Sequence, residues 1–293
     1  MTQTTANGIT LEQERFGDPS DPAVLLIMGL GAQLTRWPLP LVNALVAEGF
    51  HVIRFDNRDV GLSQKFDAAG VPDLAAIAAA LGRGERPQTP YSLDDMAADA
   101  AGLLDAMGIA GAHVVGASMG GMIAQLVAAN HPERTLSLTS IMSSSGNPAL
   151  PRSTPEATAV LMTRPKSGDM ADIVAHGVNA AKVVGSPGYP VDEAVLAERI
   201  RADAERMSYP PGFARQMAAI YANGDRRARL KTITAPTVVI HGADDPLVPV
   251  EAGRDTAASI PGARLVEIAG MGHDLPLPLV PEIVAAFLSV ARG

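Results

Sequence analysis

The chain has 293 residues, 47% of them hydrophobic, which is enough for one large α/β domain with a sizeable core, or for such a domain with an insertion. The formal net charge of −8 gives no electrostatic footprint for nucleic acid or for an anionic membrane surface. Because there is no cysteine, disulfides, thiol catalysis and thiolate metal sites are excluded.

The N-terminal residues are polar and lack the basic and apolar regions of a signal peptide. No apolar run approaches the roughly 18 residues that span a bilayer. We therefore expect a soluble, cytoplasmic protein without a membrane partner. No internal repeat of fixed period is visible in the sequence.

The first third of the chain alternates strand-like and helix-like segments. Loose alternation at Ile9–Phe16 predicts early antiparallel strands, whereas the continuous apolar run Ala23–Met28 is typical of a strand buried on both faces. Ser92 begins the last of these helices with a capping-box-like start. The other predicted elements are a helix at Leu39–Glu48, a strand at His51–Phe55, an Ala-rich helix at 73–81 and the helix from Ser92 to Met107.

The next segment is an apolar strand from His113, a turn that carries a serine, and a helix ending near Asn130. Gly116-x-Ser118-x-Gly120 is the pattern of a nucleophile elbow, in which a tight turn lifts the serine hydroxyl above the sheet edge. The helix N-terminus behind the serine favours a developing anion. The alternative is a plain Gly/Ser turn in a βα unit, because the motif is short.

After a strand at Leu136–Met142, the alternation stops. Four helix-like segments follow without an intervening strand, at 155–163, 168–184, 192–207 and 212–229. Strands and helices then alternate again: strand Pro236–His241, helix Glu251–Ser259, strand Ala263–Ile268 and helix Pro281–Ala291. We predict a mostly parallel, doubly wound sheet with helices on both faces, a core domain of residues 1–145 and 231–293, and a helical cap inserted at 146–230.

A serine nucleophile needs a base and an acid that orients the base, and ligands of such sheets bind at the C-terminal strand ends. His273 lies in a glycine-rich loop after the last strand, which favours it over the five other histidines as the base for Ser118. Asp244 and Asp245 follow the preceding strand, and Asp245 is favoured because a proline after it imposes an extended backbone. Two alternatives are a solvated loop histidine and an Asp-Pro turn initiator.

Neither a dinucleotide site nor a metal site is expected. Gly29-x-Gly31 after a strand, with Asp56 ending the next strand, imitates a dinucleotide fingerprint, but Leu34 occupies the third glycine position. There is no H-E-x-x-H motif and there are no paired histidines, so no metal site is expected. We therefore predict no cofactor and no nucleic-acid partner.

Five stretches between residues 25 and 276 carry a resemblance to a known family. In order they are LLIMGLG, HVIRFDNRDVGLS, AHVVGASMGG, HGADDPLVP and GMGHDLP. With them the chain resembles the α/β-hydrolase superfamily, in its branch of capped esterases and haloperoxidase-like proteins. Within that branch it is similar to carboxylesterases of the aclacinomycin methylesterase type. The resemblance implies an α/β-hydrolase fold, and it leaves the inserted segment without a matching motif.

Carried over residue by residue, the resemblance makes Ser118 the nucleophile, His273 the general base and Asp245 its partner. The chain order serine, aspartate, histidine is the one that this fold uses. The oxyanion hole would consist of two backbone N–H groups, those of Leu30 and Met119.

One position departs from the pattern, since this chain has Met28 where many relatives have histidine before the oxyanion loop. Because the oxyanion donors are backbone groups, this change should alter the shape of the loop without abolishing the hole. A second pattern, D-x-R-x-x-G-x-S, is formed by Asp56, Arg58, Gly61 and Ser63. We interpret it as a structural turn that is stabilised by a local ion pair.

The predicted reaction is two-step acyl transfer on a carboxylic ester, through an acyl-enzyme intermediate. Methionines flank the predicted site, so a permissive, hydrophobic pocket for small to medium uncharged esters is expected. Met28, Met271, Tyr189 and Phe213 are the predicted substrate contacts, and the side chain of Met119 is a further candidate. Ordinary core packing is the alternative for these residues.

Other uses of the same residues stay open. Peroxide, another alcohol or an amine could replace water as the acceptor, which would make the protein a perhydrolase or an acyltransferase, and a lactone could replace the open ester. A ligand receptor without catalysis is a third alternative. The expected partner is a small-molecule ester, and the sequence does not decide whether the chain forms a homo-oligomer.

Overall fold

The computed structural model describes residues 2–292, which form one sheet of eight strands with helices on both faces. The strands are β1 (Thr2–Ala6), β2 (Ile9–Phe16), β3 (Ala23–Ile27), β4 (His51–Phe55), β5 (Ala112–Ala117), β6 (Thr135–Ile141), β7 (Thr237–Gly242) and β8 (Arg264–Ile268). The helices are α1 (Leu39–Ala47), α2 (Leu74–Gly82), α3 (Leu93–Ala106), α4 (Met119–Asn130), α5 (Pro155–Met162), α6 (Met170–Val184), α7 (Glu193–Arg206), α8 (Pro210–Asn223), α9 (Arg227–Leu230), α10 (Val250–Ser259) and α11 (Val280–Ala291).

The strand order is β1-β2-β4-β3-β5-β6-β7-β8. β1 and β2 form antiparallel pairs and every other pair is parallel, so the prediction of a mostly parallel, doubly wound sheet is confirmed. β3 lies between β4 and β5, which makes its C-terminal end the point where the chain turns from one half of the sheet to the other. Such a switch point opens a crevice for ligands.

Alternation along the central strands divides the core between the two faces of the sheet. Leu25 and Ile27 belong to a cluster with the apolar sides of α3 and α4, which we call the α3–α4 cluster. Val24 and Leu26 point the other way, into the α1–α11 cluster beneath helices α1 and α11. Because β3 is buried on both faces, its continuous apolar sequence is explained.

One predicted helix is divided in the structure, and one strand has no counterpart among the predicted elements. The helix expected at 212–229 is two helices, because Gly224 adopts a φ of +62° and ends α8 before α9 begins. The strand β1 was not predicted at all, since its sequence is polar and it is largely exposed at the edge of the sheet. Along the described chain, 2–292, no helix combines the length and the apolar character required to cross a membrane.

Helices α5 to α9 lie between β6 and β7 in the sequence, in the segment 146–230, which we call the insert. Three of its residues, Val174, Val178 and Leu196, form a small apolar cluster of their own. Ala219 and Leu230 of the insert are buried in the α3–α4 cluster, and the polar contacts of the insert with the core are described with the site below. The structure shows that helices α5 to α9 occupy the insert. The division of the chain into a core domain and a cap domain stays a prediction.

Helix α4 packs very closely against the two central strands. A methyl group at Gly116 would lie 2.1 Å from the carbonyl oxygen of Gly120, and one at Gly120 would lie 2.0 Å from that of Ile27. No side chain fits at either position, so both glycines of the serine motif are required by packing.

Replacing Gly120 with alanine is expected to lower the free energy of unfolding by about 3 kcal/mol, or to prevent folding, because the added methyl group has no room. Urea denaturation followed by circular dichroism measures the change. Gly82→Ala is the matched control, since nothing lies within 4 Å of a methyl group there and alanine favours a helix over glycine. If Gly120→Ala were as stable as the unsubstituted protein, the close packing of α4 would be contradicted.

Candidate active site

Ser118 lies between β5 and α4 with an unusual backbone. Its φ is +57° and its ψ is −121°, a region that residues other than glycine seldom occupy. Its N–H donates to the carbonyl of Ile141 on β6 at 2.9 Å, and its own carbonyl accepts from the Ser143 hydroxyl at 2.8 Å. These contacts hold the half-buried serine at the C-terminal edge of the sheet, directly before the N-terminus of α4.

The structure brings Ser118, His273 and Asp245 together from three separate loops. His273 Nε2 lies 2.9 Å from Ser118 Oγ, and His273 Nδ1 lies 2.7 Å from Asp245 Oδ2. Because an ionised carboxylate only accepts hydrogen bonds, the proton of the neutral ring belongs on Nδ1, which leaves Nε2 free to accept from the serine hydroxyl. The arrangement can therefore remove a proton from Ser118 and activate its oxygen.

The two oxygens of Asp245 have different partners. Oδ2 faces His273, while Oδ1 accepts from the backbone N–H groups of Leu247 at 2.9 Å and of Val248 at 2.8 Å. Oδ1 therefore has the role of a turn-initiating aspartate, and Oδ2 has the role of the partner of His273. Asp244 is exposed, and its carboxylate accepts from the N–H of Gly270 instead.

A second histidine, His241, lies beside the same carboxylate. It is fully buried at the end of β7, with Nε2 2.7 Å from the Val248 carbonyl and 3.6 Å from Asp245 Oδ2. Burial lowers the pKa of His241, so its ring is neutral at pH 7. Its Nε2 therefore donates to Val248, and His241 stabilises the turn that presents Asp245.

The loop that carries His273 donates two backbone hydrogen bonds to the insert. The N–H of His273 donates to the Val184 carbonyl at 2.7 Å, and the N–H of Gly272 donates to the Ser186 hydroxyl at 2.8 Å. Ser186 in turn donates to the carboxylate of Asp274. Burial raises the pKa of that carboxylate, although the bond from Ser186 opposes the shift.

The predicted oxyanion donors lie in the loop after β3 and at the first residue of α4. A methyl group at Gly29 would lie 3.1 Å from Ser118 Cβ, so the loop after β3 passes directly against the serine. Within residues 2–292, the N–H groups of Leu30 and Met119 donate to no protein acceptor. Both amides are therefore free to bind an oxygen of a ligand, which is the requirement for an oxyanion hole.

The loop Asp56–Asp59 makes long-range contacts, so the expected local ion pair is wrong. Asp56 pairs with Arg206 of the insert at 2.7 Å, Arg58 pairs with Asp99 of α3 at 2.6 Å, and Asp59 pairs with Arg215 of α8 at 2.7 Å. Arg206 is half-buried, whereas the pairs Arg58–Asp99 and Asp59–Arg215 are buried so deeply that each charge must be paired to persist.

Glycine and serine in the same pattern have a structural role. A methyl group at Gly61 would lie 1.9 Å from Asp56 Oδ2, and the Ser63 hydroxyl accepts from the N–H of Glu12 at 2.9 Å. The pattern therefore stabilises the turn, as predicted, but its charged members connect the core to other helices.

A cavity of about 500 Å³ lies between the core and the insert. Its wall includes Gly31, next to Leu30, as well as Leu247, near Asp245, and Val184, which accepts from the backbone of His273. Ser118 and His273 are not among the described residues that line it. The cavity therefore borders the loops of Leu30 and Asp245 and the helix that contacts the loop of His273, and the serine is not part of its lining.

The predicted substrate contacts are divided by the structure. Phe213 of α8 lines the cavity. Met28 and Met271 are buried in the α1–α11 cluster, and Tyr189 packs partly against it, so these three side chains do not line the cavity wall. Met119 is only 1% exposed and lies in the α3–α4 cluster. The burial of these methionines agrees with ordinary core packing, and their contact with a substrate stays a prediction.

Several polar residues near the site were not found from the sequence. Asn57 donates to the Met28 carbonyl at 2.8 Å, and Gln216 of α8 accepts from the N–H of Gly31 at 2.8 Å. Ser186 holds the loop of His273 by accepting a hydrogen bond from the N–H of Gly272. Gln216 and Ser186 lie in the insert, whose sequence carries no motif, and Asn57 occupies a variable position of the Asp56–Ser63 pattern, so no local signal distinguishes them from surface residues.

Comparisons with known proteins agree with the fold. A family model described as alpha/beta hydrolase fold matches residues 22–278. The chain is 31% identical to the rhodomycin D methylesterase DauP of Streptomyces sp. (strain C5), over 99% of this chain and 97% of that protein. It is 27% identical to the 3-oxoadipate enol-lactonase 2 of Acinetobacter baylyi, over 85% of this chain and 81% of that protein. The solved enol-lactonase from Burkholderia xenovorans LB400 has a TM-score of 0.70 at 26% identity, covering 99% and 98% of the two chains.

Asp245→Asn is expected to slow the reaction of Ser118 with a fluorophosphonate by about 10³–10⁴-fold, because the amide no longer holds the proton of His273 on Nδ1. The rate is measured by quenching the reaction at set times and determining the fraction of labelled protein by intact-protein mass spectrometry. Asp244→Asn is the control and should change the rate by less than about threefold, since an amide oxygen still accepts from Gly270. Equal rates in the two variants would contradict the role of Asp245.

Proposed function

The chain belongs to the family described as alpha/beta hydrolase fold, and from this membership we propose that it is a serine esterase that hydrolyses carboxylic esters. A rhodomycin D methylesterase at 31% identity over nearly the whole chain supports an ester as the substrate. The single observation that carries the proposal is the pair of contacts of His273, 2.9 Å to Ser118 Oγ and 2.7 Å to Asp245 Oδ2. A serine with this environment is an activated nucleophile.

The reaction proceeds in two steps. As Ser118 Oγ attacks the ester carbonyl, its proton passes to His273 Nε2, and Asp245 stabilises the imidazolium that forms. The tetrahedral intermediate collapses when the alcohol leaves with that proton, and the acyl group stays on Ser118. Water then attacks the acyl-enzyme, gives its proton to His273, and the serine leaves with the proton as the acid is released.

The negative charge of each tetrahedral intermediate develops on the former carbonyl oxygen. The free N–H groups of Leu30 and Met119 are the proposed donors to this oxygen, and the N-terminus of α4 adds positive potential at the same place. Loss of one such donor typically lowers the rate by about 10²–10³-fold, so their positions are as important as the triad.

The substrate is proposed to be a small to medium uncharged ester. Much of the cavity wall is aliphatic or aromatic, with Val160, Ile173, Ile200 and Phe213 among its residues, and its volume of about 500 Å³ is in the range of ordinary ligand pockets. A charged acyl group would lose much of its hydration against these side chains, and Arg164 and His176 are the basic residues of the lining. The insert, which supplies most of this wall, is proposed to act as the cap.

Lactones are the second candidate substrates. The 3-oxoadipate enol-lactonase 2 of Acinetobacter baylyi and the enol-lactonase of Burkholderia xenovorans are both similar to this chain over most of its length. A lactone is a cyclic ester, so the same two steps would open its ring. Transfer of the acyl group to peroxide or to another alcohol uses the same intermediate and differs only in the acceptor.

On p-nitrophenyl esters, we expect kcat/KM for the butyrate to exceed that for the hemisuccinate by about tenfold or more, because the charged acyl group must be desolvated. Ser118→Ala should lower kcat/KM for the butyrate by about 10⁴-fold or more, since the nucleophile is lost. Release of p-nitrophenolate, followed by absorbance, measures both quantities. Ser144→Ala removes a hydroxyl that, within residues 2–292, accepts from the N–H of Gly146 and contacts no residue of the triad, so it should leave turnover intact.

Equal turnover by Ser118→Ala and the unsubstituted protein would overturn the assignment of the nucleophile. A preference for the hemisuccinate would overturn the proposed substrate class but not the nucleophile. Adding hydrogen peroxide or methanol at millimolar concentration and measuring the products separates hydrolysis from acyl transfer to these acceptors.

A further inference from the structure

Helix α8 of the insert lies directly on the loop that presents the Leu30 amide. The N–H of Gly31 donates to Gln216 Oε1 at 2.8 Å. Gly31 has a φ of +64°, and a methyl group there would lie 2.8 Å from Cδ2 of Phe213, which precedes Gln216 by one turn of the helix. The loop and the helix thus meet through one hydrogen bond and one close packing contact.

Gln216 is fully buried, and both ends of its side-chain amide are used. While Oε1 accepts from Gly31, Nε2 donates to the Arg58 carbonyl at 2.8 Å. Asn57, next to Arg58, donates to the Met28 carbonyl at 2.8 Å. The peptide groups on both sides of the Leu30 amide are therefore held from the same loop after β4, at Met28 through Asn57 and at Gly31 through Gln216.

The position of α8 is itself constrained at this loop. Arg215, adjacent to Gln216, makes two hydrogen bonds to the Asp59 carboxylate at 2.7 and 2.8 Å, and neither side chain is more than 1% exposed. A methyl group at Gly212 would lie 1.9 Å from the Asp59 carbonyl oxygen, so helix and loop are in direct backbone contact. The ion pair and the backbone contact therefore fix the position of Gln216 relative to Gly31.

We infer that Gln216 is a positioning residue for the oxyanion hole and that the insert contributes to transition-state stabilisation through it. The inference rests on the proposed function, because it assumes that the Leu30 amide binds the oxyanion. Gln216 touches neither the ester nor the nucleophile. It sets the direction of the Leu30 N–H by holding the next peptide group, and oxyanion donors act only when they lie within hydrogen-bond distance of the developing charge.

The test uses Gln216→Met, which keeps the length of the side chain and removes both hydrogen bonds. We expect kcat on p-nitrophenyl butyrate to fall by about 10–100-fold while KM changes by less than about threefold, because the donor acts in the transition state. The inhibition constant of an alkyl trifluoromethyl ketone, which forms a tetrahedral adduct on the serine, should rise by the same factor as kcat/KM falls. If the methionine variant does not fold, Gln216→Asn, which keeps the amide but cannot reach Gly31, takes its place.

The matched control is Gln125→Met. Gln125 is also a fully buried glutamine on a helix, but its amide contacts Ser140 and Arg226 and not the oxyanion loop. This variant should lose thermal stability to a similar extent while its kcat and its inhibition constant for the ketone stay near those of the unsubstituted protein. Such a difference separates a loss of positioning from a general loss of stability.

Three outcomes would overturn the inference. The first is an unchanged kcat in Gln216→Met, the second is a change confined to KM, and the third is an equal loss of kcat in Gln125→Met. Failure of the proposed function is distinguishable, because the unsubstituted protein would then show no ester hydrolysis that depends on Ser118.

Discussion

The site depends on the backbone of Ser118, which is held at a φ of +57° between a strand and a helix. Three constraints keep it there: the close packing around Gly116 and Gly120, the bond from Ser118 N–H to Ile141, and the bond from Ser143 to the Ser118 carbonyl. An unusual conformation of this kind persists only where the surroundings over-determine it. It places the hydroxyl within reach of His273 and leaves the next amide free for the developing oxyanion.

The loop Asp56–Asp59 connects the insert to this site. Its two aspartates form buried ion pairs with Arg206 and Arg215 of the insert, so helices α7 and α8 are attached to the core at two charged positions. Buried ion pairs add little net stability, but a displacement that breaks one leaves an unpaired buried charge and is strongly destabilising. The insert is thereby held in register with the oxyanion loop through Gln216 and with the histidine loop through Val184 and Ser186. We interpret the insert as a fixed part of the site and not only as a cover over it.

The alternation of apolar strands and amphipathic helices was sufficient to predict the sheet and nearly every element, because burial on one or both faces leaves a periodic pattern. The triad was selected from the sequence because Asp245 and His273 each follow a strand. The partners of Asp56, Arg58 and Asp59 could not be predicted, since pairing across 40 to 160 residues leaves no local signal. The burial of the methionine side chains near the motif could not be predicted for a related reason: adjacency in sequence does not reveal which face of the sheet a side chain enters.

The central claim is that Ser118 becomes covalently acylated during turnover. Its most direct test is reaction with p-nitrophenyl N-butylcarbamate, whose carbamoyl group leaves a serine slowly, followed by acid quench, digestion and mass spectrometry. We predict one butylcarbamoyl group per chain, located on the peptide that contains Ser118 and missing from Ser118→Ala. Release of p-nitrophenolate with the label on another residue, or with no labelled peptide, would contradict the account.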